Sequence, residues 1–165
     1  MLRVRPYRNQ DAKYIIGWTK DEEAFYKWSA GILGEYPITE ERFMEATNGR
    51  LDNDGYFPFV AIDDNKTVGF FILRKPDPSR DELRVGFVIV DPTIRGKGYG
   101  KKMLQLGIKF AREIYGASKV SLGVFDNNPG AYYCYKAVGF EENGIKETYP
   151  CMGQVWTCIE MDLKD

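Results

Sequence analysis

The stretch Val90-Asp91-Pro92-Thr93-Ile94-Arg95-Gly96-Lys97-Gly98-Tyr99-Gly100 constrains this chain more than any other. The segment before it, Leu83 to Val90, is apolar and β-branched, as a strand is. Pro92 cannot donate to a strand ladder, so pairing stops there. Beyond Gly100 the apolar residues recur at helical spacing. The reading is strand, tight glycine-rich loop, helix, with the helix N-terminus facing the end of the strand. The first turn of a helix leaves backbone N–H groups unpaired and carries partial positive charge, so it suits a phosphate. Gly98 and Gly100 have no Cβ, which lets a phosphate approach the main chain, and Arg95, Lys97, Lys101 and Lys102 add formal charge.

Two familiar phosphate loops fail here. G-x-x-x-x-G-K-[ST] occurs nowhere in the chain. G-x-G-x-x-G breaks at Lys101 when counted from Gly96 and at Met103 when counted from Gly98. The pattern that fits is Arg-x-x-Gly-x-Gly, at Arg95, Gly98 and Gly100. A second block, Asn-x-x-Ala-x-x-x-Tyr-x-x-x-Gly-Phe, is met in register by Asn128, Ala131, Tyr135, Gly139 and Phe140. Together the two blocks resemble the acyl-CoA loop and second signature of the GNAT superfamily of N-acetyltransferases. The resemblance implies an α/β fold of the GNAT type. Its mixed, mostly antiparallel sheet has six to seven strands and is flanked by about four to five helices.

The element pattern agrees. Leu2 to Pro6 reads as a strand, and Asn9 or Asp11 caps a helix running to Trp18. Further helices are expected over Asp21 to Ala30 and from Thr39 to about Ala46. Tyr56 to Ile62 and Thr67 to Arg74 form a hairpin. Gly98 to Tyr115 is a long amphipathic helix, Val120 to Val124 a strand, and Asn128 to Val138 a short helix ended by Gly139. Glu141 to Tyr149 and Gln154 to Leu163 suit a closing hairpin. With no linker or repeat, 165 residues are expected to form one domain, residues 1–165.

Composition removes whole classes of chemistry. The chain has no histidine, so Ser-His-Asp, Cys-His and His-ligated metal sites are excluded, and any proton must move through Glu, Asp, Tyr, Cys, Lys or water. Its three cysteines have no metal-ligand spacing, and no metal is expected. A net charge of −1 gives no pull toward nucleic acid or an anionic membrane. No signal peptide or apolar span is visible, and reduced thiols point to a cytoplasmic protein.

The resemblance implies direct transfer of an acetyl group from acetyl-CoA to the primary amine of a small molecule or peptide. It places the diphosphate on the amides of Gly96, Lys97, Gly98, Tyr99, Gly100 and Lys101, beside Arg95. The pantetheine arm then lies along the edge of Val88, Ile89 and Val90. Tyr135 matches the donor of a proton to the departing sulfur, and Asn128 a cofactor-contacting position. In one branch of the family the strand before Asn128 carries a Glu; here that position is Gly123. The base is therefore open among Glu82, ranked first, Asp81, Glu35 and water. Trp18, Phe25, Trp28 and Tyr36, with Asp21, Glu22, Glu23 and Glu35, suit a cationic acceptor. Polyamine, antibiotic amine, amino acid and peptide terminus all stay open. The alternative reading is a non-catalytic acyl-CoA sensor or interaction module. Edge strands near the C-terminus could pair two copies as a homodimer.

Overall fold

The computed structural model describes residues 1–51 and 55–165. Strand β1 (Arg3–Pro6) is followed by a 3-10 turn and three helices, α1 (Ala12–Ile15), α2 (Glu22–Ser29) and α3 (Glu40–Leu51). Strands β2 (Tyr56–Asp63), β3 (Lys66–Arg74) and β4 (Glu82–Val90) form a meander. Helix α4 (Tyr99–Lys109), widening into a π turn over Phe110–Tyr115, crosses to β5 (Lys119–Phe125). Helix α5 (Pro129–Val138) and the hairpin β6 (Phe140–Cys151) and β7 (Gln154–Leu163) complete the order.

The strands form one seven-stranded sheet in the order β1-β2-β3-β4-β5-β7-β6. Every neighbouring pair is antiparallel except β4–β5, which the α4 crossover makes parallel. Among the described residues, the mixed, mostly antiparallel sheet with five helices is the expected architecture.

Helices cover both faces, so β2 and β3 are buried almost throughout rather than alternating with solvent. One face packs Phe71, Leu73, Leu83 and Val85 against Met103 and Leu104 of α4 and Tyr135 of α5. The other packs Val60, Phe70, Ile72 and Ile89 against Ile15, Phe25 and Phe43 of α1 to α3. Helix α4 lies close because residue 107 is Gly: a Cβ there would sit 2.7 Å from the Phe71 ring.

Local departures have local causes. The first helix is shorter than its pattern: after Ile15 the N–H groups of Gly17 and Trp18 bond three residues back, and the chain turns out before Trp18. Helix α3 runs past Ala46 to Leu51 despite Gly49, with Arg50 donating back to the Ala46 carbonyl at 2.6 Å. Helix α2 starts where expected, because Asp21 accepts from the Ala24 N–H at 2.8 Å.

Two irregularities in β4 shape the site. Its pairing with β5 covers only Glu82 to Arg84, opposite Lys119 to Ser121, and the strands then separate. Against β3, the register slips by one residue between Phe70↔Ile89 and Ile72↔Gly86. Phe87 absorbs that extra residue at φ +49°, a left-handed conformation that is strained for a bulky side chain. Among the described residues no helix is long and apolar enough to cross a membrane.

Candidate active site

Where β4 and β5 part, a cavity of about 910 Å³ opens through the sheet. Its walls are β4, β5, the loop before α4, the starts of α4 and α5, and the helix α2 on the far side. Of the residues the sequence singled out, Val88, Ile89, Val90, Arg95, Gly96, Gly98, Tyr99, Gly100, Lys101, Asn128 and Tyr135 all line it. Lys97 does not. It faces a separate hollow shared with Met1, Leu2, Asp63 and Lys102.

The loop is built for close approach. Asp91 closes its first turn by accepting from the Thr93 N–H at 2.9 Å and the Thr93 hydroxyl at 2.8 Å. Gly96 and Gly98 hold φ of +86° and +76°, and nothing lies within 4 Å of where a Cβ would stand on either. Gly98 is the N-cap of α4 and no side chain caps the helix. The amides of the first turn are thus left for a ligand, with Arg95 and Lys101 beside them. These residues fit a diphosphate. The Tyr99 hydroxyl anchors the loop by donating to Asp63, whose carboxyl this bond holds below the ordinary value. If the loop is the phosphate cradle, Gly98→Val weakens CoA binding by about tenfold, since a β-branched residue at that φ costs about 1–2 kcal/mol or moves the loop. Calorimetry against CoA checks this.

The open edge of β4 follows from the ladder. The Asp91 N–H bonds to the Val68 carbonyl at 2.8 Å, so Ile89, two residues back, also directs its main-chain groups toward β3. Val88 and Val90 direct theirs the other way, into the gap that β5 has left.

Tyr135 is 8% exposed, inside α5 at the cavity wall. Burial pushes its hydroxyl far above the ordinary phenol value, with Cys134 adding to the shift, so the group stays protonated. Asn128 is the N-cap of α5, and its Oδ1 accepts from the Ala131 N–H at 3.4 Å. That bond gives Asn128 a helix-capping task besides its place on the cavity wall.

The carboxylates named from sequence as candidate bases are not gathered here. Glu82 is 7% exposed and is absent from the cavity wall; its Oε2 accepts from the Ser121 hydroxyl at 2.5 Å. Asp81 accepts from the Ser118 N–H at 3.1 Å, and Glu35 is exposed outside the cavity. A carboxylate that sequence reasoning missed lies behind the fork: Glu160 is itself absent from the cavity wall, which its partner Arg84 reaches. Glu160 of β7 lies opposite Gly123 of β5. A Cβ on Gly123 would meet Glu160 Oε2 at 2.6 Å and the Arg84 guanidinium at 2.7 Å, so the two side chains fill the space that Gly123 leaves. Arg84 donates to both Glu160 oxygens, at 2.6 and 2.9 Å. The only signal available was a Glu in a late strand, whose partner depends on register. Cys158 lies against this pair, and burial, then the Glu160 carboxylate, pushes its thiol up to about 12. It is no nucleophile at neutral pH.

Opposite the loop, the cavity is closed by α2. Trp18, Asp21, Glu23, Lys27 and Trp28 reach the cavity, whereas Phe25 is fully buried in the core.

A family model described as the Acetyltransferase (GNAT) family matches residues 15–140, most of the chain. The chain belongs to the GNAT family. Spermine/spermidine N(1)-acetyltransferase of Bacillus subtilis is 40% identical over 76 residues, covering 46% of this chain and 50% of that protein. This chain thus spans about half the length of that relative. An uncharacterized N-acetyltransferase of the same organism, YdgE, is 30% identical over 131 residues, covering 78% of this chain and 75% of it. A crystal structure of spermidine N-acetyltransferase from Vibrio cholerae, in complex with CoA and spermine, superposes with a TM-score of 0.82 at 21% identity. That match covers 98% of this chain and 94% of the other, and it establishes the GNAT fold.

Proposed function

We propose that this chain transfers an acetyl group from acetyl-CoA to a primary amine. The observation that carries the reading is the fork between β4 and β5, which joins an uncapped helix start on one side of the sheet to the acceptor-side helix α2 on the other.

In this reading the amides of Gly96, Gly98, Tyr99, Gly100 and Lys101, with Arg95, hold the diphosphate, and the Val88 carbonyl and the main-chain groups of Val90 pair with the pantetheine amides as an added strand would. Bound acetyl-CoA supplies the acetyl group as a thioester that an amine can attack. The Val88 N–H faces the developing charge on the thioester oxygen. Tyr135, kept protonated by its burial, gives its proton to the sulfur. A free alkylamine has a pKa of about 10.4 and must lose a proton before attack. Glu160 stands behind Arg84, which reaches the cavity wall, and together this pair orients the water that takes this proton. The Glu160 Oε1 accepts one guanidinium N–H and keeps a lone pair for the water, whereas Oε2 also accepts from the Cys158 thiol at 3.5 Å. Glu82 has no part in this scheme, since its carboxylate is buried against Ser121.

The acceptor wall carries Asp21 and Glu23 with Trp18 and Trp28, and although Lys27 pairs with Glu23 at 3.8 Å, the two carboxylates outnumber it, which suits an amine drawn in as a cation. The names of the polyamine acetyltransferase relatives support starting with spermidine and spermine. Self-association is proposed on the same footing. It is supported by the open, exposed edge of β6 and by the dodecameric spermidine N-acetyltransferase of Vibrio cholerae among the structural neighbours.

The test is release of free thiol from acetyl-CoA in the presence of polyamines, amino acids and short peptides, with the product identified by mass. Acetylated amine is the expected result. Tight acetyl-CoA binding without product from any amine would instead support the sensor.

A further inference from the structure

The bulge in β4 is held from outside the sheet. The carbonyl of Phe87, the left-handed residue at the register slip, accepts the indole N–H of Trp28 at 2.8 Å. Trp28 belongs to α2, on the acceptor side, 59 residues away in sequence. Its ring is itself fixed. It stacks on Phe43 at 6.2 Å and 15°, and meets the edges of Phe25 and Phe87 at 6.1 and 6.2 Å.

This bond has a consequence one atom further on. The Phe87 carbonyl and the Val88 N–H belong to one planar trans peptide, so they point in opposite directions. Holding the carbonyl toward α2 therefore turns the Val88 N–H away from α2, into the gap between β4 and β5. The ladder sets the Val88 carbonyl through the pairing of Ile89, but it gives the Val88 N–H no main-chain partner, since Val88 is unpaired on β3 and β5 has already diverged. A bulge left to itself has several peptide orientations within reach, and a left-handed Phe relaxes by rotating that peptide.

We propose that Trp28 is a positioning residue: its indole N–H locks the Phe87–Val88 peptide so that the Val88 N–H stays aimed at the thioester oxygen. The proposal rests on the acetyltransferase reading and deepens it. Because Trp28 also lines the acceptor side of the cavity, one side chain links acceptor docking to the polarisation of the acetyl group. Trp28 does not touch the thioester in this account. It acts through the peptide.

The test needs no acceptor. Isotope-edited infrared spectroscopy of [1-¹³C]acetyl-CoA reads the strength of the hydrogen bond to the thioester oxygen. The wild-type protein and Trp28→Phe, which keeps an aromatic ring but loses the N–H, are each loaded with this probe. The bound carbonyl band is expected at lower frequency and narrower in the wild type, and shifted up and broadened in the variant. Calorimetry should give acetyl-CoA affinities within about twofold of each other, since the diphosphate loop is untouched. If Trp28→Phe does not fold, a benzothiophene analogue of tryptophan at position 28 removes the N–H in the same shape and gives the same readout. Coincident bands in two loaded proteins would overturn the role of Trp28 while leaving the acetyltransferase reading in place. Failure of the wild type to bind acetyl-CoA would overturn that reading first, and this one with it.

Discussion

Replacing Tyr135 by Phe is expected to lower turnover by about a hundredfold at saturating acetyl-CoA, the lower range for losing one positioned proton donor. The change removes a single oxygen from a side chain that is 8% exposed, and the ring still packs near Phe140 with centroids 6.4 Å apart. Stability and CoA affinity should therefore hold. The loss belongs to the step in which sulfur needs a proton. Burial raises the Tyr135 hydroxyl above the ordinary phenol value, so the wild type keeps this proton through neutral and mildly alkaline pH. Its activity should not fall there for want of the acid. Steady-state kinetics with the best amine from the panel, beside calorimetry with CoA, checks both halves. Unchanged turnover in a folded Tyr135→Phe protein would remove Tyr135 from the mechanism.

The second large effect is expected at the fork. Arg84→Leu leaves the Glu160 carboxylate, 15% exposed, facing an apolar side chain where it had a two-pronged partner. Stranding a largely buried charge costs about 2–3 kcal/mol here, toward the low end for buried pairs because both groups keep some contact with water. Glu160→Leu should cost a similar amount. The double variant should recover much of the loss, because neither charge is left alone. Urea unfolding of the four proteins closes the cycle. Additive losses in the double variant would show that the two side chains act independently, which would also withdraw Glu160 as a carboxylate held in place by Arg84. Turnover should fall in both single variants and stay low in the double, since stability can be regained without the carboxylate.

The parts of this molecule that were legible in its sequence are those with a local cause. Pro92, the glycines and the basic residues of the loop mark a strand end and a bare helix start within eleven residues. In the structure Gly98 is indeed an uncapped N-cap at positive φ. Asn128 and Gly139 bracket α5 because one accepts from a first-turn N–H and the other closes the last turn. The β2–β3 hairpin and the long α4 were readable from periodicity, and the order of elements then admitted few topologies.

The site was legible only in half. The side proposed for the acyl donor lies on the loop and on α5, each a contiguous stretch with its own pattern. Lys97 was the exception, because its direction depends on how Gly96 and Gly98 turn the chain on either side of it. The acceptor side comes from segments that meet only in the folded sheet. Glu82 drew attention as a carboxylate beside a long strand, but strand position alone does not say whether a side chain reaches a cavity or a neighbouring hydroxyl. Glu160 drew none, because its place beside Gly123 and Arg84 is a matter of how β7 registers against β5, 37 residues away.

The amino-acid sequence alone determined the strand–loop–helix motif, the absence of histidine chemistry, the GNAT-like α/β order and the tyrosine of the second motif. The absence of histidine is plain composition, and the motifs and elements depend on residues within a few positions of one another, where propensity, capping and glycine geometry act directly. Only the tertiary structure decided where β4 leaves β5, which carboxylate stands behind the fork, and that Trp28 of a distant helix holds the bulge. Such pairings are set by the packing of whole layers, and a shift of one residue in register would reverse every side chain on the strand.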